Sequence, residues 1–154
     1  MATNGDYARV LLRKAGGDEA AIRKLGADTD IPDEIIGFHA QQAVEKAIKA
    51  VLSANAIKYR FSHNLAYLKQ LCKESGIELP PGLDGIEELT PFAAIERYGG
   101  EEPIPSAPGP EGPGPLDRDQ ALKWAAATIA WAKGIVEQPE PQAQETLIGD
   151  TPEG

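Results

Sequence analysis

The stretch 38–52, FHAQQAVEKAIKAVL, constrains the fold of this chain more than any other, being the longest run with helical spacing that contains neither Gly nor Pro. At 3.6 residues per turn, Ile36, Ala40, Ala43, Val44, Ala47, Ile48 and Val51 share one side, the apolar stripe of a packed helix. His39, Gln42, Lys46 and Lys49 recur at three- and four-residue steps along another side. Gln41 and Glu45 project beside Ile48 and Leu52, at the edge of the apolar arc, where a carboxylate needs a partner.

The rest of the chain supplies partners for such a helix. With 154 residues it can form one domain with a substantial core, since a domain of about 150 residues hides roughly two thirds of its unfolded surface. Val, Thr, Phe and Tyr are scarce beside Ala, Glu, Leu, Ile and Lys, which favours an all-α fold. No apolar run approaches the length of about 20 residues that a membrane helix needs. The N-terminal MATNGDYARV lacks the apolar segment of a secretory signal, so the expectation is a cytoplasmic protein without membrane attachment. Cys72 is the single cysteine and cannot form an internal disulfide. With only two His, a zinc site of Cys and His ligands cannot be assembled within one chain, and neither a metal nor a cofactor is expected.

Charge is unevenly spread. The chain carries −9 overall, which argues against a surface coated for nucleic-acid binding. Residues 34–73 nevertheless hold Lys46, Lys49, Lys58, Arg60, Lys69 and Lys73 against Glu34 and Glu45, a local charge of +4. A basic patch on an acidic body suits a phosphate-bearing ligand or an acidic partner; a solvated helix face is the plainer alternative.

Along the chain, Asp6–Lys14 forms a first amphipathic helix with Tyr7, Val10 and Leu11 on its buried side, interrupted at Gly16-Gly17. Asp18 can cap a second piece carrying Ala21, Ile22 and Leu25. Asp30 caps the central helix with Pro32 in its first turn, and the helix ends near Asn55. A helix opened by Ser62, His63 or Asn64 runs to about Glu74, with Leu65, Leu68, Leu71 and Cys72 inward and Gly76 closing it. The spacing predicts a fourth helical region over 83–98, bent at Pro91 or restarted by a Thr90 cap. Residues 99–115, with five Gly and six Pro in seventeen positions, form a long exposed loop. An Asp117-x-x-Gln120 capping box then opens a last helix, to about Glu137, burying Ala121, Trp124, Ala125, Thr128, Ile129, Ala132, Ile135 and Val136. The expected architecture is an antiparallel bundle of four to five helices within residues 1–138, followed by a flexible acidic tail over 139–154.

FHAQQAVEKAIKAVL, followed by SHNLAYLKQL and ELTPFAAIERYGG, resembles the HEPN domain family (higher eukaryotes and prokaryotes nucleotide-binding). Its members look like Phe-His-x-Gln-Gln-x-x-Glu-Lys-x-x-Lys, then His-x-Leu, then an Arg-Tyr pair before a variable loop and a final helix. The resemblance covers residues 6–137 and implies a helical bundle, often dimeric. It also implies one of three roles: a ribonuclease of toxin systems, a partner of small nucleotidyltransferase proteins, or a non-catalytic binder of nucleotides or RNA.

The ribonuclease signature of the family is an Arg and a polar residue followed by His after four to six intervening residues. Arg97 has no His after it, Arg60 and His63 are separated by two residues, and Lys58 stands at the right distance from His63 with the wrong cation. RNA cleavage without metal needs a general base near neutral pH and a fixed cation on the phosphate, roles open to His63 and Arg60. The expectation is a non-catalytic HEPN-type protein, a homodimer, that binds a nucleotide-like or RNA ligand or a nucleotidyltransferase partner. A metal-independent endoribonuclease using Arg60 and His63 is one alternative, and a purely structural interaction module is another. His39, Gln42, Lys46, Lys49 and Arg60 are the candidate ligand-binding residues, against the simpler reading of an ordinary polar face or dimer surface. Gln41, Glu45, His63, Arg97 and Tyr98 form a structural polar network.

Overall fold

The computed structural model describes residues 3–96 and 113–137. Among these there are four α-helices, two 3₁₀ segments and no strand. Residues 99–112 of the expected loop and the expected tail 139–154 lie outside the described residues.

Helix α1 (Asn4–Leu25) opens with a reciprocal cap in which Thr3 Oγ1 accepts from Asp6 N and Asp6 Oδ2 accepts from Thr3 N, both at 3.0 Å. It runs unbroken through Gly16-Gly17, where an interruption is expected. Ala8, Leu12, Ala15, Asp18 and Ile22 form one buried line across both glycines, and that line keeps the helix whole. The same line leaves Tyr7 52% exposed and Val10 half-buried, correcting the expected inward face.

Helix α2 (Asp33–Ala54) follows Pro32, which occupies the cap position in extended conformation without a side-chain cap. The expected Asp30 cap is absent; Asp30 N instead donates to Asp28 Oδ1 within the preceding turn. Between Ile36 and Ser53 most of α2 is buried, because α1, α4 and the second 3₁₀ segment surround it.

Helix α3 (Leu65–Glu74) is capped by Asn64, whose Oδ1 accepts from Ala66 N and Tyr67 N, and Gly76 turns the chain at φ +78°. Beyond it the expected helical region over 83–98 takes 3₁₀ form at Pro81–Leu83 and Ile86–Glu96, with Pro91 inside the latter and residues 97–98 outside the described residues. Pro91 has no N–H for a helical ladder, and Thr90, rather than capping its own segment, is buried and accepts from Leu65 N, the first N–H of α3, at 3.2 Å. Leu83, Ile86, Leu89 and Phe92 enter the core. Phe92 lies so close to α2 that a Cβ on Gly37 would stand 2.2 Å from its Cδ1, so this position requires glycine.

Helix α4 (Arg118–Val136) begins at Asp117, whose Oδ1 accepts from Gln120 N at 3.0 Å. It buries Ala121, Ala125, Thr128, Ile129, Ala132 and Val136, while Trp124, Trp131 and Ile135 are half-buried. Arg118 reaches the carbonyls of Gly26, Asp28 and Ile31 and the Asp33 carboxylate, so α4 starts where α1 ends and α2 begins. Further along, Ile129, Lys133 and Glu137 share a groove with Arg9, Leu12 and Gly16. Helix α1 is therefore antiparallel to both neighbours, and α2 and α4 run in the same direction. No described helix is long and apolar enough to cross a membrane.

Candidate functional site

Two buried carboxylates organise the polar groups of α2. Glu45, 4% exposed, receives Gln41 Nε2 at 2.8 Å, Lys49 Nζ at 2.7 Å and His63 Nδ1 at 2.9 Å. Gln42 Nε2 donates to Gln41 Oε1 at 2.8 Å and lies 3.4 Å from Glu45 Oε1. Gln41 also donates to the His63 carbonyl at 3.1 Å, so side chain and backbone of that histidine are both anchored. Burial raises the Glu45 pKa, but the hydrogen bonds and charges of His63 and Lys49 outweigh it and hold the carboxyl below its ordinary value.

Asp18 is the second. Its oxygens receive His39 Nδ1 at 2.9 Å and Lys46 Nζ at 2.7 Å, bridging α1 to α2. In both clusters a carboxylate, which only accepts, fixes the proton of a histidine on Nδ1. The polar side expected of α2 thus divides. His39 and Lys46 face Asp18 on α1, whereas Lys49, 7% exposed, joins Gln41, Gln42 and His63 on Glu45. Arg97 and Tyr98 lie outside the described residues.

Local chain geometry brings residues 58–63 over Glu45. At the end of α2, Ala56 takes φ +57° and Ile57 N donates back to Leu52 O at 2.9 Å, which reverses the chain. Tyr59 then stands beside α2, its hydroxyl 3.4 Å from Ser53 Oγ, and burial raises its phenolic pKa. Lys49 Nζ lies 5.5 Å from the Tyr59 ring centre and 5.4 Å from that of Phe61. Phe61 is 59% exposed and meets His63 edge to face at 5.1 Å. Arg60 stacks its guanidinium 3.9 Å over Tyr67, whose hydroxyl accepts from Arg60 N at 3.1 Å. The outcome is an exposed segment of alternating basic and aromatic residues resting on an anchored polar layer.

Asp18, Tyr59, Phe61 and Tyr67 are absent from the residues expected from sequence. Asp18 could have been found, since it falls between Ala15 and Ile22 on their own helical line. The Lys58-Tyr59-Arg60-Phe61 alternation is also visible in sequence. Cys72 is fully buried, with its thiol pushed up to about 11 by burial, as befits a core residue. Among the described residues, no three His, Cys, Asp or Glu side chains come together as a metal site.

A protein of Methanocaldococcus jannaschii named "Putative toxin MJ1304" is 32% identical to the chain over 94 residues, 55% of this chain and 60% of that protein. The matched part thus spans less than two thirds of the relative. No solved structure matches the chain. The model of the HEPN domain matches residues 8–135, a span that takes in α2 and α3, nearly all of α1 and α4, both carboxylate clusters and the segment above Glu45, and the chain belongs to the HEPN domain family.

Proposed function

We propose that the chain is a non-catalytic HEPN protein that binds RNA or a nucleotide-like ligand through the 58–63 segment. The observation that carries this reading is the exposed Phe61, set edge-on against His63 beside Arg60, on a segment tied underneath to buried Glu45. An exposed ring offers a stacking face to a base, and Arg60 and Lys58 offer cations to phosphates. Of the residues expected to bind ligand, Arg60 belongs to this surface directly. Lys49 and Gln42 support it from Glu45, and His39 and Lys46 lie with Asp18. A homodimer, a nucleotidyltransferase partner and a cytoplasmic setting belong to the same reading through the family.

Fluorescence anisotropy with a labelled single-stranded RNA and with a labelled nucleoside triphosphate tests it. Phe61→Ala is expected to weaken binding by about 1–3 kcal/mol, the usual worth of one stacked base, and Arg60→Ala to weaken it and flatten its salt dependence. Loss of binding in Lys46→Ala with Phe61→Ala unaffected would move the site to the Asp18 cluster; no binding of either probe would leave an interaction module.

A metal-independent endoribonuclease is the second reading, favoured by a separate observation. Glu45 holds His63 by Nδ1, so the neutral ring carries its lone pair on Nε2, the state a general base needs, and Arg60 lies three residues earlier. The relative's name agrees with it. RNA degradation by the purified protein that disappears in His63→Ala would establish this reading over the first.

A further inference from the structure

We infer that the cavity between the 3₁₀ segment and the start of α4 is a binding site for a small organic cation, an ammonium-bearing molecule, separate from the 58–63 surface. The cavity is half open to solvent and holds about 370 Å³, and its walls include Glu88, Phe92, Leu116, Asp117, Gln120 and Trp124. That volume lies at the small end of the range of about 300–1,000 Å³ usual for small-molecule sites.

Its chemistry selects the ligand. Among the described residues the walls carry two carboxylates, two aromatic rings and no Lys, Arg or His. Glu88 makes no side-chain hydrogen bond or ion pair among the described residues, in contrast to Glu87 beside it, which is bound to Lys69 at 2.7 Å. Asp117 uses Oδ1 to cap α4, which fixes the carboxylate at the cavity wall. The rings are fixed too. Phe92 is pressed against Gly37, and Gly85 approaches Trp124 so closely that a Cβ there would lie 3.1 Å from Cζ2. The exposed Glu88 carboxylate and the Trp124 ring border the same Gly85, Oε2 at 3.5 Å and Cζ2 at 3.1 Å from where its Cβ would stand, so a cation there is attracted twice, by charge and through the ring quadrupole. Anions are repelled by the same walls, which excludes the phosphates expected at the Arg60 surface.

The test uses the full-length chain with Trp131→Phe, so that Trp124 alone reports by fluorescence. Choline is the probe, and 3,3-dimethylbutan-1-ol, its neutral isostere, is the control. A saturable change with choline at millimolar concentration is expected, about tenfold weaker with the neutral isostere and about tenfold weaker in Glu88→Gln, in line with the worth of a cation–π contact and one charge pair. Equal response to both probes, an unchanged response in Glu88→Gln, or no saturable response would each overturn the inference. Glu88 has no structural partner to lose, and far-ultraviolet circular dichroism of the variant confirms that its fold is kept.

Discussion

Glu45 keeps its charge while 4% exposed because the Lys49 ammonium, the His63 ring and two amides replace the water it has lost. Removing it in Glu45→Ala leaves Lys49 buried without a counter-charge, and urea denaturation is expected to give a loss of about 3–5 kcal/mol. The sign of the pH effect follows from the depressed pKa. The stabilisation is complete above the ordinary carboxyl value of 4.5 and is lost as pH falls through the lower folded value. The stability difference between the wild type and Glu45→Gln is therefore expected to narrow below that pH in denaturation curves; a constant difference would show that the charge contributes nothing. Gln41 and Glu45 could be read from sequence because they sit at the edge of an apolar arc. Lys49 could not, since a wheel drawn for one helix does not say how many neighbours surround it. Lys49 Nζ ends on Glu45, between the Tyr59 and Phe61 rings, rather than in solvent.

At the level of elements, the central helix follows from its spacing, and α3 and α4 follow from spacing and the caps Asn64 and Asp117. Two elements do not. Gly16-Gly17 reads as a break because glycine costs a helix about 1 kcal/mol relative to Ala, yet burial of Ala15, Asp18 and Ile22 carries α1 across it. A Cβ at either glycine would meet nothing within 4 Å, so the space for a larger residue is already there. Gly16→Ala and Gly17→Ala are each expected to stabilise the protein by about 0.8–1 kcal/mol, read as a higher urea midpoint. Destabilisation by either would mean that the backbone there is closely approached by another molecule. Around Pro91 the helical spacing is present, but the missing N–H and the inward turn of Thr90 toward Leu65 tighten it into 3₁₀ structure.

The whole molecule is held by a contact that no local pattern reveals. Arg118 Nε donates to Asp33 Oδ1 at 2.8 Å across 85 positions, while the same guanidinium reaches the carbonyls of Gly26, Asp28 and Ile31. One side chain thereby closes the end of α1, the turn after it and the start of α2 onto α4. Its side chain is 21% exposed, so water can replace part of what it supplies. Arg118→Ala is expected to cost about 2–3 kcal/mol in thermal or urea unfolding, with little recovery in Arg118→Lys because one ammonium nitrogen cannot span the acceptors that three guanidinium nitrogens reach. Spacing could indicate the bundle but not this order of packing, since helix patterns carry no information about which ends meet.

That α1 and α4 lie side by side in opposite directions has a consequence for connectivity. Arg9, near the start of α1, and Glu137, just past the end of α4, border the same groove. A short linker joining Glu137 to Thr3, with new ends opened at the exposed turn around Gly76, would reorder the sequence while keeping every helix on its present neighbours. Such a circular permutant moves the chain ends to the side of α3, so the fold is better regarded as a closed ring of helices than as a line that happens to begin at α1.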